Sequence, residues 1–307
     1  MWQGRSGQPV LLPALREVDL YSLQGLTKSE AKATPQYAGW SRTPHLFELD
    51  GHAPVRELWF RASLAWESML RGAGGSESAS SAGQRHLLVV AHNAVNQALL
   101  GTAVRWGPDA FRRFEQSNAA YTTVTLVPGE TPNSPAVATA GQLNITADGW
   151  AARAQPGALV LITAPEGGDA AANATQWSAL LACIQSAPPV RTLACAPCEL
   201  AQRLRSGLEQ GGGRFPNMVL DGSAGVDSVL QQLGGQPSTA DGITLVIAPA
   251  AYLERLLHQA LLPAWGGNKN AFRLDAYGVS VLNPTAAGAP WPLVACVIND
   301  PLDNGLM

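Results

Sequence analysis

The chain has 307 residues, a length that fits about two domains. It is 46% apolar and 14% charged, and its 20 basic residues are outnumbered by 23 acidic ones. That balance excludes a disordered charged-tail protein and argues against general nucleic-acid binding, which needs a basic excess to neutralise phosphates.

In chain order, a loop and possible strand ends in LREVDLYSLQGL and is followed by a polar stretch with turn signals at Pro35, Pro44 and Asp50-Gly51. From Pro54 to Leu70, the residues Val55, Leu58, Trp59, Ala62, Ala65, Trp66 and Met69 recur at helical spacing, which predicts a helix with a core-facing stripe. Pro54 fits a first helical turn and Gly72 an ending. The low-complexity run from Gly72 to Gly83 reads as a mobile loop. His86-Leu-Leu-Val-Val-Ala91 reads as a buried strand, followed by a helix from Asn93 to about Val104 and a second from Pro108 to Gln116. Tyr121–Val127, rich in β-branched residues, is the next strand, and residues 128–156 read as loop. The second half continues with a strand at Ala158–Ile162, helices near Trp177–Gln185 and Glu199–Leu208, a strand at Ile243–Ile247 and a helix to about Leu262. Alternation of strands and helices predicts an α/β fold with a partly parallel sheet, divided into domains at 1–150 and 157–307.

No apolar run reaches the ~18 residues of a membrane span. The N-terminal stretch MWQGRSGQPVLLPALRE has neither the apolar core of a secretion signal nor a Ser/Arg-rich amphipathic transit pattern. Cys183, Cys195, Cys198 and Cys296 are too few for a disulfide scaffold, so a reducing compartment is expected. Cys195-Ala-Pro-Cys198 is a single C-x-x-C without a second pair, and reads as small thiols at the mouth of a helix rather than a metal or redox site.

The halves echo each other. LLVVAHNAVNQALL (Leu87–Leu100) aligns with TLVIAPAAYLERLL (Thr244–Leu257), and the stretches from Tyr121 and Tyr277 also align, as expected of a duplicated domain. The copies differ at one chemically telling place. A strand ending at His92, with Asn93 opening a helix, offers an imidazole and free backbone N–H groups to a phosphate, whereas the second copy has Pro249 there. A lone histidine near a strand end is more often structural than functional. His45, His52, His86 and His258 are weaker candidates.

LREVDLYSLQG (Leu15–Gly25), PVRELWFRASLAWESML (Pro54–Leu70) and VVAHNAVNQALL (Val89–Leu100) together resemble the histidine phosphatase, or phosphoglycerate-mutase-like, superfamily. Within it they are most similar to the plant and algal branch acting on 2-carboxy-D-arabinitol 1-phosphate. The resemblance covers most of residues 1–144 and implies a three-layer α/β sandwich, incomplete in the first copy and degenerate in the second. It implies a phosphohistidine intermediate and a small phosphorylated sugar acid as substrate, with no metal or organic cofactor, no nucleic acid and no membrane. His92 matches the family's second, phosphate-holding histidine, with Asn93 beside it, and Glu17 its acid/base; Glu57 falls where the family has a pocket-side acid. Without the resemblance, Glu17 reads as a surface or ion-paired carboxylate next to Arg16. The resemblance also implies a chloroplast setting.

The departures are as informative. No Arg-His-Gly turn precedes Leu15, and no Ser-Pro-x-x-Arg-Ala occurs in the first half, so the attacking histidine and both arginines are missing. In the second half Thr163, Ala164 and Leu200 stand where Arg, His and the second Arg would be. Two readings follow: a sugar-phosphate phosphatase starting inside its catalytic domain, or a non-catalytic relative that binds a phosphorylated ligand or a protein partner. A mutase shares the intermediate and is a third, lesser reading. The chain as written is expected to be inactive, because each 1.36 kcal/mol of lost stabilisation costs about tenfold in rate. Absence of the first strand is expected to leave sheet edges exposed beside His86–Ala91.

Overall fold

The computed structural model describes residues 9–72, 86–127, 137–165, 174–196, 198–210, 217–219, 242–261, 271–285 and 293–301. The chain divides into two compact units, one of residues 1–102 with 107–111, the other of residues 103–106 with 112–307. The boundary expected after residue 150 does not coincide with this division, because the strands at 121–145 belong to the sheet built by the second half.

The first unit is helical among its described residues. The segment read as loop and possible strand forms two 3-10 turns, Pro13–Leu15 and Tyr21–Leu23, and no strand. The polar stretch holds two short helices, α1 (Lys28–Ala33) and α2 (Tyr37–Arg42). Thr27 and Glu30 close the start of α1 with a reciprocal capping box. Asp50 and Gly51, both at positive φ, make the expected turn, with Leu49 bridged to His52. Helix α3 (Pro54–Gly72) carries the predicted stripe: Val55, Leu58, Trp59, Ala62, Ala65 and Met69 are buried. The indole of Trp66 donates to the Leu99 carbonyl of α4 (Asn93–Ala103) at 2.9 Å. The helices approach closely because Gly101 of α4 has no side chain; a Cβ there would lie 2.7 Å from the Trp59 ring. The run Gly72–Gly83 lies outside the described residues beyond its first glycine.

Two expectations fail here. Residues 86–91 form no strand, and Leu87, Leu88 and Val90 are 59, 69 and 83% exposed. A β-branched apolar run becomes a strand only beside a partner with free backbone groups, and the first unit offers none among its described residues. The helix expected at Pro108–Gln116 is a single 3-10 turn, Pro108–Ala110, since Phe111 is already extended and Arg112 takes a positive φ.

The second unit carries the α/β class expected from the alternating pattern. Its eight-stranded sheet has the order β1-β2-β8-β7-β3-β6-β4-β5. The strands are β1 (Tyr121–Val127), β2 (Val137–Ile145), β3 (Leu159–Ala164), β4 (Val190–Cys195), β5 (Asn217–Val219), β6 (Ile243–Pro249), β7 (Val279–Pro284) and β8 (Leu293–Asp300). Strands β3, β6, β4 and β5 run parallel, whereas β1/β2 and β7/β8 are antiparallel pairs. Strand β2 occupies part of the stretch read as loop; its Thr, Gly and Gln residues hide the pattern, and a buried ladder decides it. The central strand β3 is buried at every position, so it reads as a continuous apolar run without alternation. Helices α5 (Ala174–Ser186), α6 (Glu199–Gln210) and α7 (Ala250–Leu261) fall where periodicity places them. Leu180, Leu204, Ile243, Leu245 and Ile247 lie in the core between them.

The aligned stretches from Tyr121 and Tyr277 become matching hairpins whose second strands meet antiparallel at Leu143 and Ile298. Each carries, one residue before its end, a buried asparagine at positive φ, Asn144 and Asn299. Asn144 donates to the Cys296 carbonyl at 2.7 Å and Asn299 to the Gly141 carbonyl at 2.9 Å, so each hairpin is tied to the other. Each side-chain oxygen accepts from the loop before its own hairpin, from the Ser117 and Asp275 backbone N–H groups. These bonds satisfy groups that burial would otherwise leave costly.

Candidate active site

The two residues singled out for phosphate chemistry meet in the first unit. His92 is the last residue before α4, and its carbonyl accepts the first helical bond, from the Asn96 N–H at 2.9 Å. The Asn96 side chain donates back to the Ala91 carbonyl at 3.1 Å, which fixes the chain as it enters the helix. His92 therefore stands at a helix N-terminus, but not at the end of a parallel strand, because residues 86–91 are not one. The opening turn of α4 contains no acidic residue, so its N–H groups and partial positive charge are not offset locally. Asn93 is exposed, and its side-chain oxygen accepts from the Gln97 amide at 2.5 Å.

Glu17 lies across from His92, its Oε2 3.6 Å from the imidazole Nδ1. The imidazole is 72% exposed and the Glu17 side chain 41%, so both remain open to a ligand from solvent. The other carboxylate oxygen accepts the Val18 N–H at 2.7 Å. Arg16 does not pair with Glu17; it pairs with Asp19, 2.7 Å away and one turn on. Arg16 is thus not its ion partner, because the three-residue spacing puts Arg16 and Asp19 side by side; Glu17 is still a partly exposed carboxylate, with His92 across from it.

Arg61, which sequence reasoning did not single out, holds this segment. Its guanidinium donates to the carbonyls of Arg16 at 2.8 Å, Glu17 at 3.0 Å and Ala14 at 3.4 Å. Its position one turn after Glu57 on α3 is readable from the sequence, but its carbonyl acceptors are tertiary.

Glu57 plays a different part from a free pocket acid. Its carboxylate accepts from the Tyr21 hydroxyl, from His52 Nδ1 at 3.1 Å and from the Ala53 N–H at 3.1 Å. The Tyr21 hydrogen bond is the main cause holding Glu57 below the usual carboxylate range, and it pushes the Tyr21 phenol up to about 12. The His52 ring stacks on Tyr21 with centroids 4.0 Å apart. This cluster clamps the end of the LREVDLYSLQG segment onto α3.

In the second unit, Pro249 ends β6 beside Ala164 of β3, and Thr163, Ala164 and Leu200 are buried. None of these four side chains can present a charge to a phosphate. Cys195 ends β4 and Cys198 precedes α6, both free thiols; burial is the main cause pushing Cys195 up, which disfavours a reactive thiolate. What the first-unit arrangement can do is bind an anionic oxygen through His92 and the α4 N-terminus, and shuttle a proton through Glu17.

Residues 3–133 match the family model of the histidine phosphatase superfamily (branch 1). The chain is similar to the Arabidopsis thaliana protein named "Probable 2-carboxy-D-arabinitol-1-phosphatase", with 42% identity over 139 residues, 45% of this chain and 27% of that one. It is also similar to the Triticum aestivum 2-carboxy-D-arabinitol-1-phosphatase, with 40% identity over 139 residues, 45% of this chain and 26% of that one. It thus spans about a quarter of the length of these relatives. Among solved structures, a phosphoglycerate mutase from Plasmodium falciparum matches with 13% identity and a TM-score of 0.29, over 46% of this chain and 97% of that one. The motif resemblance and the sequence match coincide on the same segment, residues 3–133, which is similar to the histidine phosphatase superfamily (branch 1).

Proposed function

We propose that this chain supplies part of a phosphomonoesterase site, with His92 and the N-terminus of α4 holding phosphoryl oxygens and Glu17 as the acid/base. The observation that carries the reading is the approach of Glu17 Oε2 to His92 Nδ1, 3.6 Å, at an exposed helix start. In a two-step transfer, an imidazole attacks phosphorus in line while the carboxylic acid protonates the departing ester oxygen. The resulting carboxylate then takes a proton from water, which attacks the phosphohistidine and releases phosphate. His92 and the backbone N–H groups stabilise charge on the equatorial oxygens in both steps.

The names of the two plant relatives support a sugar-acid phosphate as substrate class, with 2-carboxy-D-arabinitol 1-phosphate first among those to test. A chloroplast setting rests on the same plant resemblance. The second half, with Pro249, Thr163, Ala164 and Leu200 at the corresponding places, is read as a degenerate copy.

One observation favours a second reading, non-catalytic binding of a phosphorylated ligand: no Arg-His-Gly triplet occurs anywhere in the 307 residues. Phosphate release from sugar-acid phosphomonoesters by the 307-residue chain, beside His92→Ala and Glu17→Gln, decides between them. Turnover lost in both variants establishes the enzyme. Binding of phosphate without turnover, weakened by His92→Ala, means that these 307 residues by themselves hold phosphate and do not cleave the ester, as the second reading has it. Neither turnover nor binding that depends on His92 refutes both.

A further inference from the structure

A cavity of about 230 Å³ in the second unit opens where β8 ends, remote in sequence from the segment that carries Glu17 and His92. It is lined by Asp148, Trp150, Cys183, Ser186 and Asp300 among others. By volume it holds on the order of eight waters, which suits a small ligand rather than a drug-sized one.

Its lining is negative in three independent ways. Asp300 is 1% exposed, and its Oδ1 is buried with no hydrogen-bond partner. The Asp300 carboxyl accepts a backbone bond from Trp150. A buried carboxylate with one oxygen unsatisfied is costly and calls for a donor. Asp148 brings a second carboxylate to the rim. Cys183 and Ser186 belong to the last turn of α5, a helix end with partial negative charge and no basic residue to offset it. Trp150 adds an aromatic wall, and its indole Nε1 is also buried without an acceptor. Arg153 influences Asp300 through space, but its guanidinium bonds go to Asn144, Ser117, Glu115 and Cys296.

We propose that this cavity binds a small organic cation, a primary ammonium or a guanidinium, with Asp300 as its anionic anchor. A cation seated in the cavity offsets the Asp300 charge at its wall, and its alkyl part fits beside Trp150. A bare divalent ion fits worse, since it needs six or more oxygen ligands, and among the described residues no three His, Cys, Asp or Glu side chains come together. Burial, the main cause, pushes Asp300 up to about 6, so the carboxyl is still ionised at pH 7.5 and able to meet a cation.

The test is calorimetric titration of the full chain at pH 7.5 with butylammonium, beside butanol and butyrate. Saturable binding of butylammonium alone is expected, weakened about tenfold or more in Asp300→Asn, the loss expected of a charge-assisted bond. Ala152→Trp, at an exposed position on the cavity lining, is expected to abolish the same binding without touching the carboxylate, and it decides the matter if Asp300→Asn does not fold. Butanol binding as tightly as butylammonium overturns the proposal, as does butylammonium binding that survives both substitutions. Absence of saturable binding overturns it outright.

Discussion

Arg61→Met separates the positioning of Glu17 from its chemistry. Methionine keeps helix propensity in α3, so the change is confined to the guanidinium. Three carbonyl bonds disappear, at 2.8, 3.0 and 3.4 Å, the last of them weak. A bond from a charged donor contributes ~1.5–3 kcal/mol when buried. These sit partly in solvent, where water replaces the lost donor, so the sum is about 1–2 kcal/mol. That corresponds to a ~5–30-fold rise in local opening of the Leu15–Asp19 segment, with global stability hardly changed. Hydrogen exchange reads it directly: the Val18 amide, whose acceptor is the Glu17 carboxylate at 2.7 Å, should exchange faster by that factor. Phosphate affinity should fall in step. Val18 protection and phosphate binding both equal to wild type would show that Arg61 does not organise the site.

Further outcomes follow from other parts of the molecule. Asp300 titrates near 6 when folded against ~4 in an unfolded chain, so the folded state binds this proton more tightly. Its contribution to stability is full below pH ~4 and is lost as pH rises through about 6, a change of ~2–3 kcal/mol. Urea midpoints measured from pH 4 to 7 should therefore show a flatter difference profile for Asp300→Asn, and identical profiles for both proteins contradict the burial argument. Gly101→Val drives a side chain into the Trp59 ring, 2.7 Å from the new Cβ, and should cost ~1–3 kcal/mol in a denaturant titration. Leu88 and Val90 stand 69 and 83% exposed in a stretch without regular secondary structure, so Leu88→Lys with Val90→Lys should reduce self-association in light scattering while leaving the circular dichroism spectrum unchanged.

The stripe on α3 was legible because seven apolar residues share one helical face, and burial follows that face. β3 and β6 were legible because both are continuous apolar runs. The same signal misleads at His86–Ala91: its counterpart Thr244–Ala248 lies in β6 between β3 and β4, while residues 86–91 have no strand beside them in their unit. Composition is local, but a strand is a pair property. β2 was missed for the converse reason, since a ladder with β1 and β8 outweighs its weak propensity. At the site, Glu17 and His92 were legible through their motifs. Arg61 and the Tyr21–His52–Glu57 cluster were not, because backbone carbonyls brought close by folding leave no mark in the sequence.

The central claim is that His92 and Glu17 form one anion-binding site. Equilibrium dialysis of radiolabelled inorganic phosphate against the 307-residue chain and its His92→Ala variant tests it most directly. The account predicts saturable binding by the wild type, weakened about tenfold or more by the substitution, as expected for loss of a charge-assisted contact. Equal binding by the two proteins would contradict it.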